Sequence, residues 1–129
     1  GPERSATQIE LAQTDCRNIG SKAPVRSSGD TKGTPGVTLR GPNGTLTVPE
    51  GVMIADRHIH MTPAQAAAFG LADGDRVQVK IDGPKPGVMG GVLIRANDKC
   101  ALDFHIDTDD GNAFLLKQGQ LVTVLGKEE

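Results

Sequence analysis

The clearest alternation of apolar and polar positions lies at Arg76-Val77-Gln78-Val79-Lys80-Ile81. Successive side chains of a strand point to opposite faces, so this period of two predicts a β-strand with one buried face. Val37-Thr38-Leu39 and Leu46-Thr47-Val48 flank Pro42-Asn43-Gly44 and predict a hairpin, with Asn-Gly supplying the positive φ angles of a tight turn. Residues 27–36 before it are read as a loop, and Thr7-Gln8-Ile9-Glu10-Leu11 as an opening strand. Val52-Met53-Ile54-Ala55 predicts another strand, which runs into Arg57-His58-Ile59-His60, and a boundary between two subdomains, 1–49 and 50–129, is placed near Pro49. Thr62 suits an N-cap, Pro63 the first helical position, Ala64 to Phe69 a helical interior and Gly70 its end, which predicts a helix of about two turns.

The same order of residues recurs. Phe69-Gly70-Leu71, Gly74 and Val77-Gln78-Val79 are echoed 45 residues later by Phe114-Leu115-Leu116, Gly119 and Val122-Thr123-Val124. A fainter copy lies 50 residues upstream of His60, where Glu10-Leu11-Ala12-Gln13-Thr14-Asp15 and Ile19-Gly20 match His60-Met61-Thr62-Pro63-Ala64-Gln65 and Phe69-Gly70. Glu10, His60 and His105 thereby share one slot, the last residue of a strand before a short helix, and each can ligate a metal.

A chain of 129 residues suffices for one domain or for two small barrels sharing a core. Abundant Gly and Pro beside short Val, Ile and Leu runs predict a mainly β protein with many turns and few helices. The net charge of −2 is mixed along the chain, and with no Trp, no Tyr and three Phe there is neither a stacking platform nor a basic stripe, so nucleic acid is not an expected partner. Nothing approaches the roughly 20 apolar residues that span a bilayer, and no signal peptide opens the chain, so a soluble intracellular protein without a membrane partner is expected. The start lacks Met, as a piece of a longer protein would. Cys16 and Cys100 stand far apart without CxxC spacing and are expected to stay reduced.

The candidate chemistry lies in the three histidines. On a strand His58 and His60 face the same way, with Ile59 turned into the core, and so form a chelating pair. His105, in Leu102-Asp103-Phe104-His105-Ile106-Asp107, supplies a third imidazole if the two repeats pair. Three nitrogens with an open fourth position are the catalytic arrangement for zinc. Arg57 beside them is suited to clamp an anion such as phosphate, and Arg4 and Arg26 are weaker cases of the same kind. Asp107, Asp109 and Asp110 partly match a calcium loop but lack its spacing and terminal Glu, so capping of a short helix is expected there, while Asp103 or Asp107 could orient an imidazole. A metal hydrolase and a non-catalytic metal-binding β module both fit these residues.

Arg57-His58-Ile59-His60-Met61-Thr62, followed by Asp103-Phe104-His105-Ile106-Asp107-Thr108-Asp109, resembles the phosphate propanoyltransferases of bacterial microcompartments, the PduL-type phosphotransacylases. Ala23-Pro24-Val25-Arg26-Ser27-Ser28-Gly29-Asp30 and Gly36-Val37-Thr38-Leu39-Arg40-Gly41-Pro42 are similar to theirs as well. The resemblance implies two small antiparallel β-barrels with short capping helices, and exchange of an acyl group, typically propanoyl, between coenzyme A and phosphate. It further implies two zinc ions, one on His58, His60 and His105 and the other partly on Glu10, with Arg4 facing phosphate. A homo-oligomer in the lumen of a bacterial microcompartment is expected. Family members carry a second, upstream Arg-His-X-His region that this chain lacks, so the chain looks like the C-terminal part of such an enzyme, with one barrel incomplete and the N-terminal part as its missing partner.

Overall fold

The structure, a computed structural model, describes residues 7–99 and 101–128. Arg4 and Cys100 lie outside the described residues. The chain divides into two compact units, 1–56 and 57–129. No helix among the described residues is long and apolar enough to cross a membrane.

In the first unit β1 (Ile9–Leu11) and β2 (Val25–Arg26) both pair in parallel with β5 (Val52–Ala55), which lies between them. Val52, Met53 and Ile54 of this central strand are all buried, which explains why its sequence is a continuous apolar run without alternation. That pairing also moves the boundary. The strand begun at Val52 belongs with β1 and β2, so the chain divides after Asp56, several residues beyond Pro49. Between β1 and β2, α1 (Gln13–Ile19) buries Cys16. The predicted hairpin forms from β3 (Val37–Gly41) and β4 (Gly44–Val48), with Leu39 opposite Leu46. Its turn is Pro42-Asn43, not Asn43-Gly44, because proline fixes a negative φ at the first loop position and leaves the positive φ, 136°, to Gly44 alone.

The second unit contains β6 (His58–Met61), α2 (Pro63–Ala68), β7 (Arg76–Ile81), β8 (Gly87–Ala96), β9 (Asp103–His105), α3 (Thr108–Ala113) and β10 (Thr123–Lys127). Its five-stranded sheet runs β10-β7-β8-β6-β9, with β6 parallel to β8 and every other pairing antiparallel. Val77, Val79 and Ile81 of β7 meet Met89, Val92 and Ile94 of β8 and Ile59 and Met61 of β6 in one buried cluster. The period of two read at Arg76–Ile81 is thus the buried face of this sheet.

The mainly β fold is as expected, but the expectation of antiparallel pairing throughout needs correction. Three of the pairings are parallel, and no closed barrel forms among the described residues. In the second unit both edge strands, β9 and β10, line an apolar groove of about 630 Å³ walled by Ile59, Phe69, Phe104, Ile106, Leu116 and Val124.

The threefold repeat is visible in the backbone. Ala12, Thr62 and Asp107 occupy the same extended N-cap conformation, with φ of −80°, −78° and −80°. Each helix then closes through a bond from five residues on, Ser21 to Cys16, Leu71 to Ala66 and Leu116 to Gly111, at 2.8, 2.8 and 2.9 Å. The closing turn requires a left-handed residue, supplied by Gly20 (φ 74°), Gly70 (φ 72°) and, in the third copy, Leu115 (φ 49°). Leu115 is the single non-glycine with positive φ among the described residues.

Candidate metal centre

Register brings the histidines together. β6 and β9 run antiparallel with His58 opposite His105, Ile59 opposite Phe104 and His60 opposite Asp103. Directly paired residues share a face, as do residues two apart on one strand, so His58, His60, Asp103 and His105 form a two-by-two array. Ile59, on the other face, is 4% exposed in the core. This apolar anchor decides which face the imidazoles take, since a slip of one residue would bury them and expose Ile59.

The Nε2 atoms of His58 and His60 lie 3.1 Å apart. Ring centroids are 4.6 Å apart for His58 and His60, 5.0 Å for His58 and His105, and 4.8 Å for His60 and His105. One nitrogen from each of the three falls within 4.8 Å of the others. Tetrahedral zinc bound at about 2.0–2.1 Å needs ligand nitrogens roughly 3.3–3.4 Å apart, so modest side-chain rotation suffices for the three to hold an ion. The donor set fits the metal. Burial, followed by the charges of His58, His105 and Arg95, holds the His60 pKa below its ordinary value, with Asp103 opposing. His60 is thus biased toward the neutral imidazole that ligation requires.

Two further groups bear on this face. Asp103 Oδ2 accepts a hydrogen bond from His105 Nε2 at 2.9 Å. Arg95 lies beside His60 in the parallel register of β6 and β8. Arg95 was not legible as a neighbour, because Gly90 and Gly91 interrupt the apolar run that would mark β8 as a strand.

Arg57, predicted to clamp an anion, donates from Nη2 to Asp110 Oδ1 at 2.8 Å and from Nη1 to the Gly90 carbonyl at 3.1 Å. It ties the start of β6 to α3, which follows β9, and to the middle of β8. Burial raises the Asp110 pKa, and Arg57 counters that rise. Asp110 stands 53 residues from Arg57, so no local signal announced the pair. Asp107 caps α3 as expected, accepting from the Asp110 N–H at 2.8 Å. Thr62 and Gln65 make a reciprocal cap on α2 at 3.2 and 2.8 Å.

Glu10 lies on β1 of the first unit, exposed, with its carboxylate accepting from Gln8 Nε2. It and His60 are each followed by one more strand residue, so the shared slot is the last residue of a strand for His105 alone. Arg26 donates to Asp30 and to the Lys32 carbonyl, both at 3.2 Å. In the loop before β3, the Gly29 N–H donates to Gln8 and the Gly33 N–H to Glu50, so these two amides already have acceptors.

Comparison with known proteins places the chain in a family. The family model described as phosphate propanoyltransferase matches residues 1–117. Curated phosphate propanoyltransferases are similar to the chain throughout. That of Thermotoga maritima is 46% identical over 126 residues, covering 97% of this chain and 60% of the relative. That of Lachnoclostridium phytofermentans is 44% identical over 125 residues, covering 97% and 59%. That of Salmonella typhimurium is 46% identical over 114 residues, covering 88% and 54%. The chain spans about 60% of the length of the first of these relatives and slightly less of the others. With a family match over nine-tenths of its residues, the chain belongs to the phosphate propanoyltransferase family.

Proposed function

We propose that the chain carries one half of the metal centre of a phosphotransacylase, which exchanges an acyl group between coenzyme A and phosphate: acyl-CoA + phosphate = acyl phosphate + CoA. The observation that carries this reading is the convergence of His58, His60 and His105 within 4.8 Å in a chain whose relatives are named phosphate propanoyltransferases. Zinc is the ion proposed for the three imidazoles, and when bound it supplies a Lewis acid to a phosphate or carbonyl oxygen.

The chain's own residues do the positioning. The three imidazoles fix where an ion and its open position lie on the sheet, and the buried Ile59 holds that face outward. Arg57 and Arg4 are proposed to offset the charge of the attacking phosphate, which must approach a thioester carbonyl in one ternary complex. Asp110 and the Gly90 carbonyl take two of the five N–H donors of Arg57, so the guanidinium is held in place while it retains capacity for an anion. Glu10 is proposed as a ligand of a second zinc completed by residues beyond this chain. Direct attack without an acyl-enzyme is proposed, and the burial of Cys16, 0% exposed on α1, supports it because that thiol cannot meet a substrate without local unfolding.

By the resemblance, the proposal extends to propanoyl-CoA as acyl donor, a microcompartment lumen as location and a homo-oligomeric assembly. The groove between β9 and β10 is proposed to receive a strand from the remainder of the protein and so complete a barrel. The test is thiol release from propanoyl-CoA by the chain together with the rest of the protein. Release that requires phosphate and stops on chelation supports the transferase. Release without phosphate would replace it with a thioester hydrolase.

A further inference from the structure

Three corners of the array on β6 and β9 are imidazoles and the fourth is a carboxylate, Asp103. Resting on the metal-centre reading above, we propose that Asp103 is the positioning residue of that centre: it fixes the tautomer and orientation of His105, so that His105 ligates through Nδ1. Asp103 Oδ2 lies 2.9 Å from His105 Nε2. An ionised carboxylate only accepts hydrogen bonds, so Nε2 carries the proton, and in a neutral imidazole the lone pair then resides on Nδ1. His58 and His60 differ in presenting Nε2 to one another.

The position of Asp103 explains why this task falls to it. Asp103 and His105 are two apart on a three-residue strand and share a face, opposite His60 and His58 respectively. His105 sits at the sheet edge and is exposed, with no neighbour strand beyond it among the described residues. His58 and His60 lie on an interior strand flanked by β8 and β9. An edge imidazole rotates unless a directional partner holds it, and a carboxylate on the non-ligating nitrogen both orients the ring and strengthens the donor. Asp107, the other carboxylate two residues from His105, accepts from the Asp110 N–H at the start of α3 and leaves the task to Asp103.

The test compares the purified protein with Asp103→Ala and Asp103→Asn variants. Zinc affinity is read by competition with a chromogenic chelator, and the tautomer of His105 by 15N NMR of the zinc-loaded protein. Asp103 is exposed, and circular dichroism of the metal-free variants reports whether the fold is intact. The expected result is a loss of roughly 10–100-fold in zinc affinity for Asp103→Ala with the stoichiometry unchanged. Partial recovery is expected in Asp103→Asn, whose amide oxygen still accepts the N–H, and His105 in the parent should show a protonated Nε2. Unchanged affinity in the alanine variant, or ligation of His105 through Nε2 in the parent, overturns the proposal. Failure of the parent itself to bind zinc would instead overturn the metal-centre reading.

Discussion

Replacing Arg57 with Met keeps most of the side chain's length and removes its charge and its bonds to Asp110 and Gly90. A charge-assisted hydrogen bond sheltered from water contributes about 1.5–3 kcal/mol, whereas a fully exposed ion pair contributes about 0.2–1 kcal/mol. Arg57 and Asp110 lie between these limits, with side chains 33% and 21% exposed. The expected loss for Arg57→Met is therefore about 1–2 kcal/mol, somewhat less for Asp110→Asn, and the coupling between the two is about 1 kcal/mol. With no Trp or Tyr in the chain, urea unfolding is best followed by far-UV circular dichroism, on chelated protein so that metal binding does not mask the change.

The pH dependence has a definite sign. The folded-state pKa of Asp110 is raised, chiefly by burial, so its favourable contribution is full below the ordinary carboxylate value and is lost as pH rises through the folded pKa. Removing Arg57 raises that pKa further, so the cost of Arg57→Met should be largest at neutral pH and shrink in acid. A coupling below about 0.3 kcal/mol, or a cost independent of pH, would refute the view that this pair braces β6 against α3.

Other consequences follow from the local geometry. Leu115→Gly removes a left-handed cost of about 1–2 kcal/mol and adds an entropic cost of about 0.5–1 kcal/mol, so thermal melting should show no loss and up to about 1.5 kcal/mol of gain. Clear destabilisation would mean that Leu115, 46% exposed, packs more than its exposure indicates. Thr62→Ala should lose about 1 kcal/mol with the α2 cap, measured by urea unfolding, and a neutral result would show the cap to be redundant with Gln65. His60 has a depressed folded pKa, so its contribution to metal-free stability is present above its ordinary value of 6.5 and lost as pH falls through the folded value. His60→Asn should flatten that acid-side slope, and zinc affinity in the parent should fall over the same range, read by chelator competition.

Much of the site was legible because short-range geometry fixed it. The i, i+2 spacing of His58 and His60 and the cap at Thr62 rest on local periodicity, while His105 was aligned through the 45-residue repeat, and the structure brings the three histidines together. The parallel partners of β5 and β6 depend on segments far away in sequence and left no local mark. β8 went unread because Gly90 and Gly91 interrupt its apolar run. There the ladder with β7 shifts register, and Gly91 adopts a φ of 64°. With β8 unseen, Arg95 beside His60 and the Gly90 carbonyl on Arg57 were unseen too. The hairpin at Val37 to Val48 was placed correctly, but Pro42 overrode the Asn-Gly preference within its turn.

The most direct test of the metal centre is metal content by elemental mass spectrometry after zinc loading and dialysis, for the parent, for His58→Ala, His60→Ala and His105→Ala, and for the three replacements combined. One equivalent of zinc in the parent that each single replacement lowers or abolishes is the result predicted from three imidazoles within 4.8 Å. Retention of that same equivalent when all three are replaced together would contradict it.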